Sequence, residues 1–173
     1  MKSFSITLFI MLSLIACSPT TKLPTVSELD ITKYAGTWYE IARFNHRFEK
    51  DLECVTATYT LLENGKIEVL NKGHLIADNT KIKEIVGKAW VADVEFPGQL
   101  KVQFFWPFAA PYYVFYLDSN YQTALVGTPS RGYFWMLSKT PTIEETTYNQ
   151  LVEIAKQNGF DTSKLSKVKQ NCK

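Results

Sequence analysis

Residues 55–72 read VTATYTLLENGKIEVLNK, and apolar and polar side chains alternate through most of the segment. Val55, Ala57, Tyr59 and Leu61 share one face, while Thr56, Thr58 and Thr60 share the other. Successive side chains point to opposite sides of a strand, so this pattern predicts a strand with one dry face and one wet face. Asn64 and Gly65 sit in the middle of ENGK, and that dipeptide marks a tight hairpin turn because both residues tolerate positive φ. The return strand then places Ile67, Val69 and Asn71 on one side and Lys66, Glu68 and Lys72 on the other. Asn71 is therefore a polar group that points inward, either satisfied within a core or held as a handle for a ligand.

The same period extends away from this hairpin. EIVGKAWVAD (84–93) sets Ile85, Gly87, Ala89 and Val91 on one face, and its two small residues leave room there. LKVQFFW (100–106) sets Leu100, Val102, Phe104 and Trp106 against Lys101 and Gln103. YYVFYLD (112–118) and TALVG (123–127) are near-continuous apolar strands, and GYFWMLSK (132–139) alternates Tyr133, Trp135 and Leu137 with Phe134, Met136 and Ser138. TWYEIARF (37–44) completes a set of eight strands that no helix interrupts. Helical spacing comes last, in Leu151, Ile154 and Ala155, with a Thr-x-x-Glu capping box at Thr142 and Glu145 and a stop at Gly159. The expected fold is all-β: an eight-stranded antiparallel up-and-down β-barrel with one C-terminal α-helix packed outside. Closure removes exposed sheet edges, and a barrel of this size encloses room for one small ligand.

Composition narrows the function. The chain of 173 residues has a formal net charge of +2, and its basic residues are scattered, which argues against nucleic acid as a partner. Aromatic residues make up 14%, enough to fill a large core or to line an apolar cavity. The segment 4–16 is almost wholly apolar, follows Lys2 and precedes a polar, proline-containing segment. That is the layout of a secretory signal, and it is shorter than the roughly 20 residues that span a bilayer. Leu14, Ile15, Ala16 and Cys17 resemble the lipobox of bacterial lipoproteins. That resemblance implies cleavage after residue 16, lipidation of Cys17, and, with Ser18 following, sorting to an outer membrane. The expected layout is a lipoprotein signal peptide over 1–16, a lipidated tether over 17–33 and a barrel domain over 34–173. Two cysteines remain, Cys54 and Cys172, and thiols in an exported protein tend to pair. The alternative is a free Cys54 acting as a nucleophile.

YAGTWYEIARF (34–44) carries a Gly-x-Trp at Gly36 and Trp38, LDSNYQTALV (117–126) carries Asp118 and Tyr121, and WMLSKTP (135–141) carries Lys139. These three ordered segments resemble the signatures of the lipocalin family, and TWYEIARFNHRFE is similar to its bacterial, outer-membrane lipoprotein subgroup. The likeness runs over 34–172. It implies that Trp38 closes one end of the barrel, that Asp118 and Tyr121 lie in a turn near that end, and that Lys139 stands where the family usually has an arginine across the tryptophan. LENGKIEVLNKG and the closing Asn-Cys are similar to the apolipoprotein D-like group, whose pattern implies a Cys54–Cys172 disulfide. The same group implies cavity-lining roles for Tyr59, Asn71, Phe104, Tyr112 and Trp135. All but Tyr112 also fall on the inward face by alternation.

No catalytic or metal site is expected. His46 and His74 fall in presumed loops without other ligands at metal spacing, acidic residues read as outward-facing, and no cofactor motif is present. The expected function is membrane-anchored binding and transport or storage of fatty acids, lysophospholipids or similar lipids in the cell envelope. The oligomeric state is left open. Two rivals stand beside it: a lipid-modifying isomerase using Cys54, and an envelope interaction protein whose barrel is filled by its own side chains. FFWPFAAPYY (104–113) gathers Phe105, Trp106, Phe108 and Tyr113 around Pro107 and Pro111 in an expected mouth loop. Such a loop either touches the membrane or folds over its own barrel.

Overall fold

A computed structural model describes residues 22–172; Cys17 and the apolar leader lie outside the described residues. A short helix α1 (Ile31–Tyr34) leads into strands β1 (Gly36–Phe44), β2 (Leu52–Leu61), β3 (Ile67–Leu75), β4 (Asp78–Val91), β5 (Gln99–Phe105), β6 (Phe108–Leu117), β7 (Thr123–Gly127) and β8 (Phe134–Ser138). Helix α2 (Glu145–Gln157) and a short strand β9 (Leu165–Lys167) follow. Neighbours in sequence pair antiparallel from β2 through β8, and β1 closes the ring by pairing with both β8 and β2. The expected eight-stranded barrel with an outer helix is thus the observed fold. The ninth strand went unread because three residues carry too little periodicity. It pairs with Ala42–Phe44, the half of β1 that β2 leaves free, since β2 is bonded to β1 only over Gly36–Tyr39.

Two apolar cores share the barrel wall. Inside, Trp38, Ala57, Ile67, Val69, Ala89, Leu100, Val114 and Leu137 pack together at one end. Outside, Leu125, Phe134 and Met136 of β7 and β8 pack with Leu151 and Ala155 of α2 and with Phe160. Strand β7 is buried at every position, because the helix covers the face that would otherwise be wet. This is why TALVG reads as continuous rather than alternating.

Several expectations are corrected. The capping box does not form: α2 is capped by Glu144 without a side-chain bond, and the Thr142 carbonyl instead accepts from Thr140 Oγ1 at 2.8 Å. Strand β4 begins at Asp78, not at Glu84, because DNTKIK stands clear of the barrel core and shows no alternation. The Asn-Gly turn is wider than a two-residue hairpin, with Leu61 paired to Ile67 and Leu62 N–H bonded to the Lys66 carbonyl at 2.8 Å. Leu61 is exposed beyond the end of the inner core. The segment taken for tether is partly structural: Leu23 is buried in the outer core, and Val26 N–H bonds the Val114 carbonyl at 3.0 Å. Packing therefore begins ahead of residue 34.

Candidate functional site

The inner core fills only one end of the barrel. Towards the other end the interior opens into a cavity of about 800 Å³, with a small chamber of about 60 Å³ beneath it. Asn71, Phe104, Tyr112 and Trp135 line both spaces, and Tyr59 lines the lower one. All five sequence-derived positions therefore meet at one site, on β2, β3, β5, β6 and β8. Alternation brings them there: Tyr59 and Asn71 follow inward neighbours on their strands, and Tyr112 pairs with the inward Leu100. Trp106, which alternation sets beside Leu100, Val102 and Phe104 and which also falls in the expected mouth loop, is 86% exposed, because β5 ends at Phe105 and Trp106 lies in the turn.

The polar handles are largely spoken for. Tyr112 shares its hydroxyl with Tyr59 at 2.7 Å and with Tyr34 at 3.0 Å. Burial pushes the Tyr34, Tyr59 and Tyr112 phenols above the usual range, so all three stay neutral. Trp135 Nε1 donates to Glu49 Oε2 at 3.1 Å. Asn71 Oδ1 is buried and has no partner among the described residues. Lys72 and Lys83, both exposed, and the largely buried His46 also line the large cavity.

Beside the cavity lies a charged cluster that sequence reading placed in solvent. Glu40 and Glu49 are buried, not outward-facing, and so is Arg43. Arg43 donates from Nη1 to Glu40 Oε2 at 2.9 Å and from Nη2 to the Glu49 and Leu52 carbonyls. His46 Nε2 lies 2.9 Å from Glu49 Oε2, and its ring packs edge-on to Trp135, so it is not a solvated loop histidine. Burial and the nearby Glu49 charge, opposed by Arg43, push the Glu40 carboxyl up to about 8. Burial also works against ionised Glu49, but its bonds from His46 and Trp135 and the Arg43 charge win and hold it below the usual carboxylate range. Two neighbouring carboxyls resist ionising together, and with His46 and Trp135 bonded to Glu49 the pair separates into a raised Glu40 and a lowered Glu49. The signal available was parity, since Glu40 alternates with the inward Trp38.

Residues 29–170 match the family described as Lipocalin-like domain. The chain is a lipocalin. It is 45% identical over 159 residues to the outer membrane lipoprotein Blc of Citrobacter freundii, covering 90% of this chain and 89% of that one. It is 35% identical over 157 residues to apolipoprotein D of Bos taurus, covering 86% and 82%. Among solved structures, insecticyanin of Manduca sexta superposes with a TM-score of 0.68 at 21% identity, covering 86% of this chain and 84% of that one. At that identity the likeness speaks for the fold alone.

The family positions of this lipocalin seal the end away from the cavity. Trp38 is fully buried, and its Nε1 donates to the Tyr34 carbonyl at 2.7 Å. Lys139 Nζ stands 4.4 Å from the Trp38 ring centroid and donates to the Tyr34 and Ala35 carbonyls. Lysine thus supplies a cation-π contact together with a cap on α1, in place of a stacked guanidinium. Gly36 adopts φ +93 beneath that ammonium, in the region that favours glycine. Asp118 accepts from the backbone N–H groups of Asn120, Gln122 and Thr123, and the Tyr121 hydroxyl accepts from Asp30 N–H at 3.0 Å. Cys54 and Cys172 of this lipocalin form a disulfide across 118 positions.

Proposed function

We propose that this lipocalin binds and carries a fatty acid, a lysophospholipid or a similar single-tailed lipid, as a lipid-anchored protein of the outer membrane. The observation that carries the reading is the open cavity of about 800 Å³ lined by Tyr112, Phe104, Val102, Trp135 and Asn71. Each methylene buried there contributes about 0.8 kcal/mol. Because the deep hydroxyl and indole groups are already paired with one another and with Glu49, the floor favours hydrocarbon. The polar head then stays at the mouth, where Lys72 and Lys83 suit a carboxylate or a phosphate. Asn71 lines both the lower chamber and the large cavity, and its amide, with Oδ1 unpartnered among the described residues, offers the head group a hydrogen bond where the two spaces meet. The Blc relatives, named outer membrane lipoproteins, support the location, as does the lipobox-like Leu14–Cys17, which lies outside the described residues.

Neither rival is favoured. The isomerase reading needs a thiol on Cys54, which is bonded to Cys172; the filled-barrel reading needs an interior without the cavity. Purification without detergent, followed by mass spectrometry of co-purifying lipids, tests the proposal. One acyl chain per barrel, displaced by added palmitate, is the expected result. A barrel that carries no lipid and takes up none defeats it.

A further inference from the structure

The barrel wall is broken on one side of the mouth. The ladder between β4 and β5 joins only Lys88–Val91 to Leu100–Gln103. Above it, Asp78 and Ile82–Gly87 of β4 pair with β3 alone among the described residues, and Phe104 and Phe105 of β5 pair with nothing in β4. The ladder stops where the Phe104 ring meets the Gly87 backbone: a Cβ added at Gly87 would stand 2.6 Å from Phe104 Cδ1. Lys83, Glu84 and Ile85 on one bank and Phe104, Phe105 and Phe108 on the other line the large cavity. The cavity is thus bounded here by side chains rather than by a hydrogen-bonded sheet, and side chains can part without breaking a ladder.

The outer surface beside this break is apolar. Ile82 and Val86 alternate away from the inward Ile85 and are 47% and 55% exposed, and Phe105, Trp106 and Phe108 at the hairpin tip are 64%, 86% and 78% exposed. Lys81, Lys83, Lys88 and Lys101 stand exposed on the same two strands; the acidic residues among them are Glu84 and Asp78, the latter paired with Lys81 at 3.2 Å. The patch adjoins a cavity suited to hydrocarbon, since Phe105 and Phe108 also line it. Aromatic tips edged by lysines match the chemistry of an anionic bilayer surface.

Building on the carrier reading, we propose that this side of the barrel lies on an anionic lipid bilayer and that the acyl chain passes sideways through the break between β4 and β5. The described residues form a closed barrel with its own cores, so the chain beginning at Ser18 serves for the test and removes the leader and Cys17 as membrane attachments. Co-sedimentation with vesicles of phosphatidylglycerol and phosphatidylethanolamine is compared with phosphatidylcholine vesicles. Pickup of a fluorescent polyene fatty acid is followed both from vesicles and from dilute solution. Val86→Asp with Trp106→Ser changes only residues outside the cavity lining. The expected result is binding to the anionic vesicles, lost by about tenfold or more in the double variant, with a matching fall in pickup from vesicles. Its affinity for dissolved fatty acid stays unchanged. Equal vesicle binding by parent and variant overturns the proposal. So does a parent dimer that the two substitutions disperse without any vesicle binding, which makes a second copy the occupant. A parent chain that takes up no dissolved fatty acid defeats the carrier reading instead, whatever its vesicle binding.

Discussion

Glu40 shows how a single side chain ties fold to cavity. Its carboxyl, raised to about 8 from an ordinary 4.5, favours the protonated form in the folded state. The stability it contributes is therefore complete below about pH 4.5 and is lost as pH rises towards 8, at up to about 1.4 kcal/mol per pH unit. Glu49, held low, works in the opposite sense and matters only as pH falls through the acid range. Urea unfolding at pH 5.5 and 8.5 is expected to show a lower midpoint at the higher pH, and Glu40→Gln is expected to flatten that difference. A variant that keeps the full drop would place its origin elsewhere. Asn71 offers a second test. Its orphaned Oδ1 costs stability unless something pairs with it. Asn71→Leu is expected to leave the unfolding midpoint unchanged or raised, while weakening fatty-acid binding about fivefold, the worth of one hydrogen bond near 1 kcal/mol. Titration with a fluorescent fatty acid reads the second effect, and equal affinity in both proteins removes Asn71 from the site. The two residues also differ in legibility. Asn71 reads inward from its alternation with Ile67 and Val69, whereas Glu40 alternates equally well with the inward Trp38 but its charge suggested solvent.

At the scale of elements, periodicity was informative wherever one face of a strand is wet and uninformative where both faces are dry. β2, β3 and β8, with its inward Trp135, could be placed from alternation alone; β7 could not be assigned an inner face, because α2 covers its outer side and every position is buried. The helix was legible from Leu151 and Ala155, but its start was not, since the local Thr142 and Glu145 pattern lost to bonding within the turn from Ser138 to Thr142. Leu151 is almost fully buried at the centre of the helix seam. Leu151→Ala is expected to cost about 2–5 kcal/mol through lost burial and the hole left behind, with fatty-acid affinity intact because the seam lies outside the barrel. Denaturant unfolding and ligand titration together check this, and parallel loss of both would mean that the outer core sets the shape of the inner one. The tail beyond β9 is held by the disulfide and by Gln170, whose Nε2 donates to the Glu40 and Val55 carbonyls at 2.7 and 2.9 Å. Replacing both cysteines by serine releases a loop constraint of 118 positions, worth about 4–5 kcal/mol on the chain-entropy estimate. Calorimetry on the double variant measures it, and a loss below about 1 kcal/mol would show that the bonds from Gln170 and β9 hold the tail unaided.

For the whole molecule, the division of labour between the two ends decides how stability and binding are linked. The sealed end, with Trp38, Lys139 and the inner core, together with the helix seam, buries apolar surface that no ligand touches. The open end is a hollow whose walls gain contacts only when something fills it. A ligand-free barrel should therefore stay folded and melt in one cooperative step, with the cavity walls as its least stable part. Filling the cavity adds free energy to the folded state alone, by about 2.7 kcal/mol when free ligand is a hundredfold above its dissociation constant. For a chain of this length each kcal/mol moves the melting temperature by about 2–4 °C, so a rise of about 5–10 °C is expected between delipidated protein and protein with excess palmitate. The rise should grow with the logarithm of ligand concentration, because that is the form of the linkage. Scanning calorimetry over a palmitate series, on protein delipidated beforehand, measures both the size and the dependence. A melting temperature indifferent to palmitate would mean that the hollow is closed to hydrocarbon in solution.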